Sequence, residues 1–384
     1  MPKRIAVVGG GIAGLCTAAA LVKRGVKPVL LERQRIGGTH GSSHGPSRIT
    51  RSVYADAAYV RLMQRIHAEH WPAMEKLLGQ QLLFKTDGLF FGHGDLWEKY
   101  LAAVLPQDVN VEHLDVGEGR RRFPQFRLAS ATSVLHDHTS AVIAADRVLR
   151  GLRRWLVEQG ADVREDTSML QGKETRIGVS LQIGKKDRAA AGGWEEFDAA
   201  VLCMGAWHAN NAMPLEPDLT VLRQTIGYFD FGGAFGMRPP DFPVWVGVGA
   251  TEEDVFYGLP EFDRPGVKIA RHRTIGECEN PDDMDDPSAA LEDLEAFVRR
   301  EFAVPHARLS VERCLYSVTR QEDFLLGTFP GEARWIYGSA CSGHGFKFGP
   351  WVGEVLAEFV LTGDCSDPDF LAERQRFAPL RNRA

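Results

Sequence analysis

No apolar run in this chain of 384 residues is long enough to span a bilayer, which excludes a helical membrane protein. Basic charge is not in excess. Lys and Arg total 45 against 51 Asp and Glu, a formal net charge of −6, and this argues against a nucleic-acid partner. The six cysteines have neither paired spacing nor a metal-ligand pattern, so reduced thiols in a cytoplasm are expected and no metal is. Internal repeats are missing as well. His67 and His70 lie three apart with Glu69 between, but no further ligand stands near them. His136-Asp137-His138 reads as a loop ahead of a helix. Asp282-Asp283-Met284-Asp285-Asp286 lacks the glycine and closing glutamate of a calcium loop and reads as a solvated turn. Lys3-Arg4 before an apolar run is not a signal peptide, because a glycine pattern is embedded in that run.

What the chain does contain suits a large globular protein of two domains: 44% hydrophobic and 25% charged residues over this length. Ile5-Ala6-Val7-Val8 has the continuous apolar character of a buried parallel strand. Gly9, Gly11 and Gly14 follow in G-x-G-x-x-G spacing, with Ile12 and Ala13 inside the motif. Leu15 to Lys23 reads as a helix, and Val29 to Leu31 as a second strand ending at Glu32. Gly9 permits a tight turn, Gly11 lets backbone amides reach a pyrophosphate, and Gly14 lets helix and strand approach closely. Glu32 stands where a ribose hydroxyl is bound. Strand, glycines, helix, strand and acid in that order predict a dinucleotide site.

Alternating units continue along the chain. A Gly/Ser/His loop covers Gly37 to Arg48, a helix Tyr59 to Leu78, strands Leu83 to Phe91, and a helix Ala144 to Gly160 with a short strand after it. Ser180 to Ile183 and Glu196 to Cys203 read as strands around a charged turn, Lys185-Lys186-Asp187-Arg188. From Leu222 to Val311 strands and long loops dominate, with one helix near Pro287 to Arg300 capped by Asp286. Trp335 to Gly338 is a further strand. The chain is thus expected to leave the nucleotide sheet and return twice.

Near the C-terminus, Ser342-Gly343-His344-Gly345-Phe346-Lys347-Phe348-Gly349-Pro350 sets two titratable side chains in an apolar, glycine-framed loop. A helix Pro350 to Leu361 follows, with Gly363 at its expected C-cap. The loop is expected at a helix N-terminus, where an anion is favoured.

In combination these segments resemble monomeric sarcosine oxidase and N-methyltryptophan oxidase, within the D-amino-acid-oxidase-like flavoproteins. The resemblance spans essentially the whole chain. It implies an α/β (α+β overall) fold, a Rossmann-like FAD-binding domain (1–83, 141–212 and 315–384) with an antiparallel-sheet substrate domain (84–140 and 213–314). It carries over Gly9, Gly11, Gly14, Glu32 and Arg33 to the ADP part. Ser42-Ser43-His44-Gly45 and Ser47 to Arg51 match a loop beside flavin and substrate, and Tyr257-Gly258-Leu259-Pro260 an active-site strand. Lys268 and His272 match a lysine and a histidine of the family. Cys314 matches the cysteine that carries the flavin through a thioether, Tyr316 the tyrosine beside the substrate, and His344 with Lys347 the final motif, which Gly343, Gly345 and Phe346 complete. Cys341 and Trp351 depart from the family pattern.

The resemblance implies roles. Arg51 and Lys347 clamp a substrate carboxylate, with His344 a polar contact; two surface cations are the alternative. Arg48 sits over the flavin, Lys268 handles oxygen, and Tyr257, Tyr316 and His272 shape the amine site. Separately, loops around Trp245, Phe256 and Phe262 are expected to supply the pocket walls. The implied activity is FAD-dependent oxidation of a secondary or tertiary amino acid, an N-methyl or cyclic one, to an imine, with O2 reduced to H2O2 by a monomeric cytoplasmic enzyme. A dehydrogenase passing electrons to a carrier and a non-catalytic flavin-binding protein stay open.

Overall fold

The computed structural model describes residues 3–185, 192–210, 219–273, 276–278, 280–283, 288–302, 304–329, 331–339 and 341–379. The apolar run Ile5–Val8 is a strand buried at every position. It needs no polar face because it is covered on both sides. Ala199–Leu202 and Val29–Leu31 flank it in parallel register, with Ile5 opposite Ala199 and Ala6 opposite Val29. Among the described residues this sheet has six strands, ordered Leu325–Phe329, Glu332–Ser339, Ala199–Leu202, Ile5–Val8, Val29–Leu31 and Asp162–Arg164. Only the first of these runs antiparallel to its neighbour. The chain leaves this sheet after Leu31, after Arg164 and after Leu202, returning each time, once more than the sequence suggests.

The helix Ile12–Lys23 lies against the later helix Gly349–Thr362, where side chains placed on Gly349 or Gly353 would run into Ile12 and Cys16. The second helix ends at Gly363 in the left-handed region, φ 87°, as its sequence predicts.

A second sheet of eight strands is ordered Ala307–Val318, Thr220–Asp230, Val267–Arg271, Val255–Leu259, Val244–Val248, Gly88–Gly92, Ser133–Asp137 and Val111–Leu114. Its one parallel pairing joins Val244–Val248 to Gly88–Gly92. One face packs on an aromatic core that includes Trp245, Phe256, Phe297 and Phe302. Strand alternation sends Tyr257 and Lys268 to the other face. That face and the glycine end of the parallel sheet bound one cavity.

Several elements differ from expectation. The stretch Glu196 to Cys203 is two strands. Gly193–Phe197, with exposed alternate residues, joins a small antiparallel sheet, whereas the continuously buried Ala199–Leu202 joins the parallel one. The helix expected from Tyr59 starts at Ala57, where Asp56 accepts from the Ala58 amide at 2.8 Å. It widens into a π turn at Ile66–His70, just ahead of Pro72, which has no N–H for the regular ladder. Ser47–Thr50, expected as loop, is a strand paired with Ala141–Ala144. His136 is also in a strand, Ser133–Asp137, and not in a loop. The expected domain break between 314 and 315 falls inside the strand Ala307–Val318. Lys186 to Arg188 and the expected cap at Asp286 and Pro287 lie outside the described residues; that helix is described over Ser288–Glu301. Among the described residues no helix is long and apolar enough to cross a membrane.

Candidate active site

A cavity of about 600 Å³ runs from the Gly9 turn to the Lys347 turn. At its first end Gly9 adopts φ 107°, and a Cβ there would strike the Cys203 carbonyl. Gly14 does not border the cavity; a Cβ on it would strike the Gly9 carbonyl, so it permits the turn and helix to close on one another. Ser43 Oγ accepts from the Ile12 amide at 3.1 Å and fixes the helix entrance. Glu32 accepts from the amides of Gly10 at 2.6 Å and Gln34 at 2.8 Å. Burial raises its carboxyl above the usual range, against those two amides. Arg33 stacks on Trp207, 4.6 Å from the ring centroid, and both reach the Asp282 carboxylate. Asp282 is therefore an ion-pair partner and not part of a free solvated turn.

The other end of the cavity is cationic. Arg48 donates to the carbonyls of Ser47, Ser42 and His44 at 2.6–2.8 Å. Lys268 reaches the Ser47 carbonyl at 3.4 Å, and Lys347 the His344 carbonyl at 2.8 Å. Arg51 lies over the Tyr54 ring, and its buried Nη1 has no hydrogen-bond partner among the described residues. Carbonyl oxygens carry only partial charge, so the four cations leave the cavity positive. Among the described residues none of them is ion-paired with a carboxylate. Burial, then the Arg48 charge, lowers the Lys268 ammonium to about 7. Burial and the Arg51 and Arg48 charges hold Lys347 well below its ordinary value.

Tyr257 and Tyr316 share a hydroxyl–hydroxyl hydrogen bond of 3.0 Å, and burial pushes Tyr257 up to about 12. Gly343, at φ 73°, passes so close that a Cβ would meet Tyr316 Cε2 at 2.6 Å and His272 Cε1 at 2.8 Å. His272 faces a Glu322 carboxylate oxygen at 3.3 Å. His344 donates to the Glu322 carbonyl at 2.9 Å and stacks on Phe324. Burial and the nearby Lys347 charge lower it to about 3, so it is neutral and a poor base. Cys314 lines the cavity beside Cys341; burial raises its thiol, against the Arg48 and Lys268 charges.

The turn Gly345–Phe348 is a 3-10 turn, and it borders the cavity with Gly343 and His344. The helix proper begins one turn later, with Gly349 and Pro350 away from the cavity. The helix thus starts one residue ahead of the expected Pro350, and the loop stands at its N-terminus as expected. Trp245 and Phe256 belong to the aromatic core, and Phe262 packs on Phe84. None of the three is a pocket wall; Val246, Val255, Leu259 and Tyr100 are.

Outside the cavity, Asp87, His136 and His138 come together. Arg122 lies 3.2 Å from His136 Nδ1, while His136 Nε2 is 3.1 Å from Asp87 and His138 Nε2 meets Glu112, so hydrogen bonds and ion pairs close this cluster. His67 is bonded to Thr50 at 2.6 Å. Among residues with no motif to announce them, Glu312, Glu322 and Asp282 hold site groups in place.

The cavity fits FAD by its own geometry: a glycine turn at one end that tolerates no Cβ, a buried acid beside it, and a positive far end with an unsatisfied guanidinium nitrogen. Together with the parallel sheet and its antiparallel cover, this defines a dinucleotide-dependent oxidoreductase. The chain belongs to the FAD dependent oxidoreductase (DAO) family, whose profile matches residues 4–359. It is 28% identical over 374 residues to the monomeric sarcosine oxidase of Bacillus sp. (strain B-0618), covering 94% of this chain and 92% of that one. To the peroxisomal sarcosine oxidase of Homo sapiens it is 31% identical over 369 residues, covering 92% and 91%. Among solved structures, NikD, an unusual amino acid oxidase essential for nikkomycin biosynthesis, superposes with a TM-score of 0.82 at 21% identity, covering 100% of this chain and 99% of that one. The L-proline dehydrogenase from P. horikoshii gives 0.78 at 19%, covering 99% and 100%. The last two define the fold alone.

Proposed function

We propose that the protein is a monomeric, cytoplasmic FAD-dependent oxidase of a secondary or tertiary amino acid, of the N-methyl or cyclic kind. Segments 1–83, 141–212 and 315–384 form the FAD-binding part and 84–140 with 213–314 the substrate part. The observation that carries the reading is the cation set: Arg51, part-buried, and Lys347, buried, lie against Tyr54 with no ion-paired carboxylate among the described residues. A substrate carboxylate supplies that charge, and Arg51 offers the planar fork and Lys347 the point charge that orient it.

Bound FAD supplies the redox chemistry, taking a hydride equivalent from the carbon next to nitrogen and returning the electrons to an acceptor. Gly9, Gly11, Ile12, Ala13, Glu32, Arg33 and Ser43 hold its ADP half, and His44, Arg48, Gly343, Gly345, Phe346 and Lys347 its ring half. Cys314, on the cavity wall, is the attachment point of a thioether. Tyr257 and Tyr316 form the wall facing the amine, with His272 behind them. Both phenols stay neutral, so they orient the amine and do not take its proton. Lys268 places a buried cation where negative charge develops on dioxygen, and H2O2 leaves. The product imine then hydrolyses, or persists when it is cyclic.

Oxygen uptake and peroxide release with sarcosine, N-methyltryptophan, proline and pipecolate test this reading. Equimolar oxygen consumption and peroxide formation with one of them supports it. Turnover seen only with an added dye or quinone acceptor replaces the oxidase with a dehydrogenase.

A further inference from the structure

Glu312 stands two residues before Cys314 and four before Tyr316 in the strand Ala307–Val318, so all three project from one face. Its carboxylate accepts from the Tyr228 hydroxyl at 2.7 Å and from Arg264 at 3.0 Å, and lies 3.4 Å from His44 Nε2. The other nitrogen of that ring faces the Gly41 carbonyl at 2.6 Å, so His44 meets acceptors on both sides. A methyl group placed on Gly45 would lie 3.8 Å from Arg48 Nη1 and 3.8 Å from Glu312 Oε1. The guanidinium and the carboxylate therefore face each other across one glycine. Arg264 also lies over the Tyr228 ring, 4.0 Å from its centroid, and donates to Ser310 at 3.1 Å, which anchors the far side of the carboxylate.

We propose that Glu312 is a positioning residue for the oxygen-reacting half of the cycle: it is the counter-charge behind the cavity wall that governs how strongly Lys268 and Arg48 bias the cavity toward negative charge. The inference rests on the assignment of Lys268 to oxygen. The groups that act on Lys268 are Arg48, Cys314, Glu312 and Arg264. Arg48 and Arg264 disfavour its charge and Glu312 favours it. Burial works to raise Glu312, but its hydrogen bonds to His44 and Tyr228 and the His44 and Lys268 charges hold it down at about 2. It therefore stays ionised across the working range. A carboxylate held by Arg264, the Tyr228 hydroxyl and His44 on one side, with the cavity cations on the other, acts as a fixed charge. It sits outside the space that FAD and substrate fill.

The test uses holoenzyme photoreduced anaerobically with oxalate as the electron donor, which is oxidised to CO2, without any amine, then mixed with oxygen at a series of pH values. Two electrons and two protons pass to O2 and give H2O2. Reoxidation in the wild type slows as pH rises through the Lys268 transition, and Lys268→Met loses this limb. In Glu312→Gln the limb moves to lower pH by about one unit, because a neighbouring negative charge has gone. Glu312→Asp keeps the wild-type limb. At a pH well below the limb, where Lys268 is charged in every variant, Glu312→Gln has a more positive flavin reduction potential than the wild type. If Glu312→Gln fails to retain flavin, Arg264→Met moves the limb to higher pH. A Glu312→Gln limb that coincides with the wild type, Gln and Asp variants that shift alike, or an Arg264→Met limb that stays put overturns the role of Glu312. A limb that persists in Lys268→Met overturns the oxygen assignment itself, and neither outcome depends on which amine is the substrate.

Discussion

Arg51 and Lys347 converge on one ring: the guanidinium carbon lies 4.4 Å, and the ammonium nitrogen 5.6 Å, from the centroid of Tyr54. The two come from a strand end and a 3-10 turn almost three hundred residues apart in the chain. Lys347 is buried and Arg51 part-buried with its Nη1 shielded from solvent, and neither has a carboxylate partner among the described residues. Two like charges held together in this way destabilise the empty site and favour an anionic ligand.

Lys347→Met is therefore expected to lower kcat/KM for the amino-acid substrate by on the order of 10²–10³-fold, with KM carrying most of the change. The same substrate without its carboxylate should already be poor with the wild type and lose little more in the variant. Steady-state kinetics with the matched pair checks this; equal losses for both would contradict the clamp.

The oxygen step should depend on pH through Lys268. Burial and the Arg48 charge lower its ammonium to about 7, so the cation is present below that pH and is lost as pH rises through it. Reoxidation is expected to be fast on the acid side and to fall on the alkaline side. Lys268→Met should slow reoxidation on the acid side by at least ~10²-fold while anaerobic reduction by the amine changes far less. Stopped-flow measurement of the two half-reactions separates these effects.

Gly343→Ala should cost stability and shape together. The residue sits at φ 73°, and the new methyl would meet Tyr316 and His272 at 2.6–2.8 Å. A loss of about 1–3 kcal/mol is expected, read as a lower denaturation midpoint. The 3.0 Å hydroxyl pair of Tyr257 and Tyr316 should be disturbed, raising KM. An unchanged midpoint and KM would show that the turn relaxes freely.

Cys314→Ala should retain FAD but release it on acid precipitation, whereas the wild type keeps its yellow colour in the pellet. Colour wholly in the supernatant of the wild type would falsify the thioether at this position. Burial raises the Cys314 thiol, and the Arg48 and Lys268 charges oppose that rise. Attachment is accordingly expected to slow in Arg48→Ala, measured as covalent flavin formed against time from apoprotein.

The ADP cradle was legible in the sequence because its physics is local: the Gly9 turn, the helix it opens and the acid at Glu32 lie within about one βαβ unit. The cations Arg51, Lys268 and Lys347 were legible as residues, through the family resemblance, but their lack of carboxylate partners among the described residues was not. Strand phase decides which residues around Trp245 and Phe256 form the wall. Trp245 and Phe256 each stand one position from a cavity residue, Val246 and Tyr257, and a period of two sends neighbours to opposite faces. Glu312 carries no motif, yet its spacing of two from Cys314 on one strand was a usable signal. Its partners Tyr228, Arg264 and His44 come from three other segments that only the tertiary fold unites. Asp282 reads as part of an acidic turn until Arg33 and Trp207 are placed beside it.

Anaerobic mixing of the purified holoenzyme with sarcosine, N-methyltryptophan, proline and pipecolate, followed by the flavin colour, tests the central claim most directly. One of these amino acids should bleach the flavin fully, and admitting oxygen should restore the colour with one H2O2 per flavin. Colour that survives every secondary and tertiary amino acid in the panel would contradict the amino-acid oxidase reading.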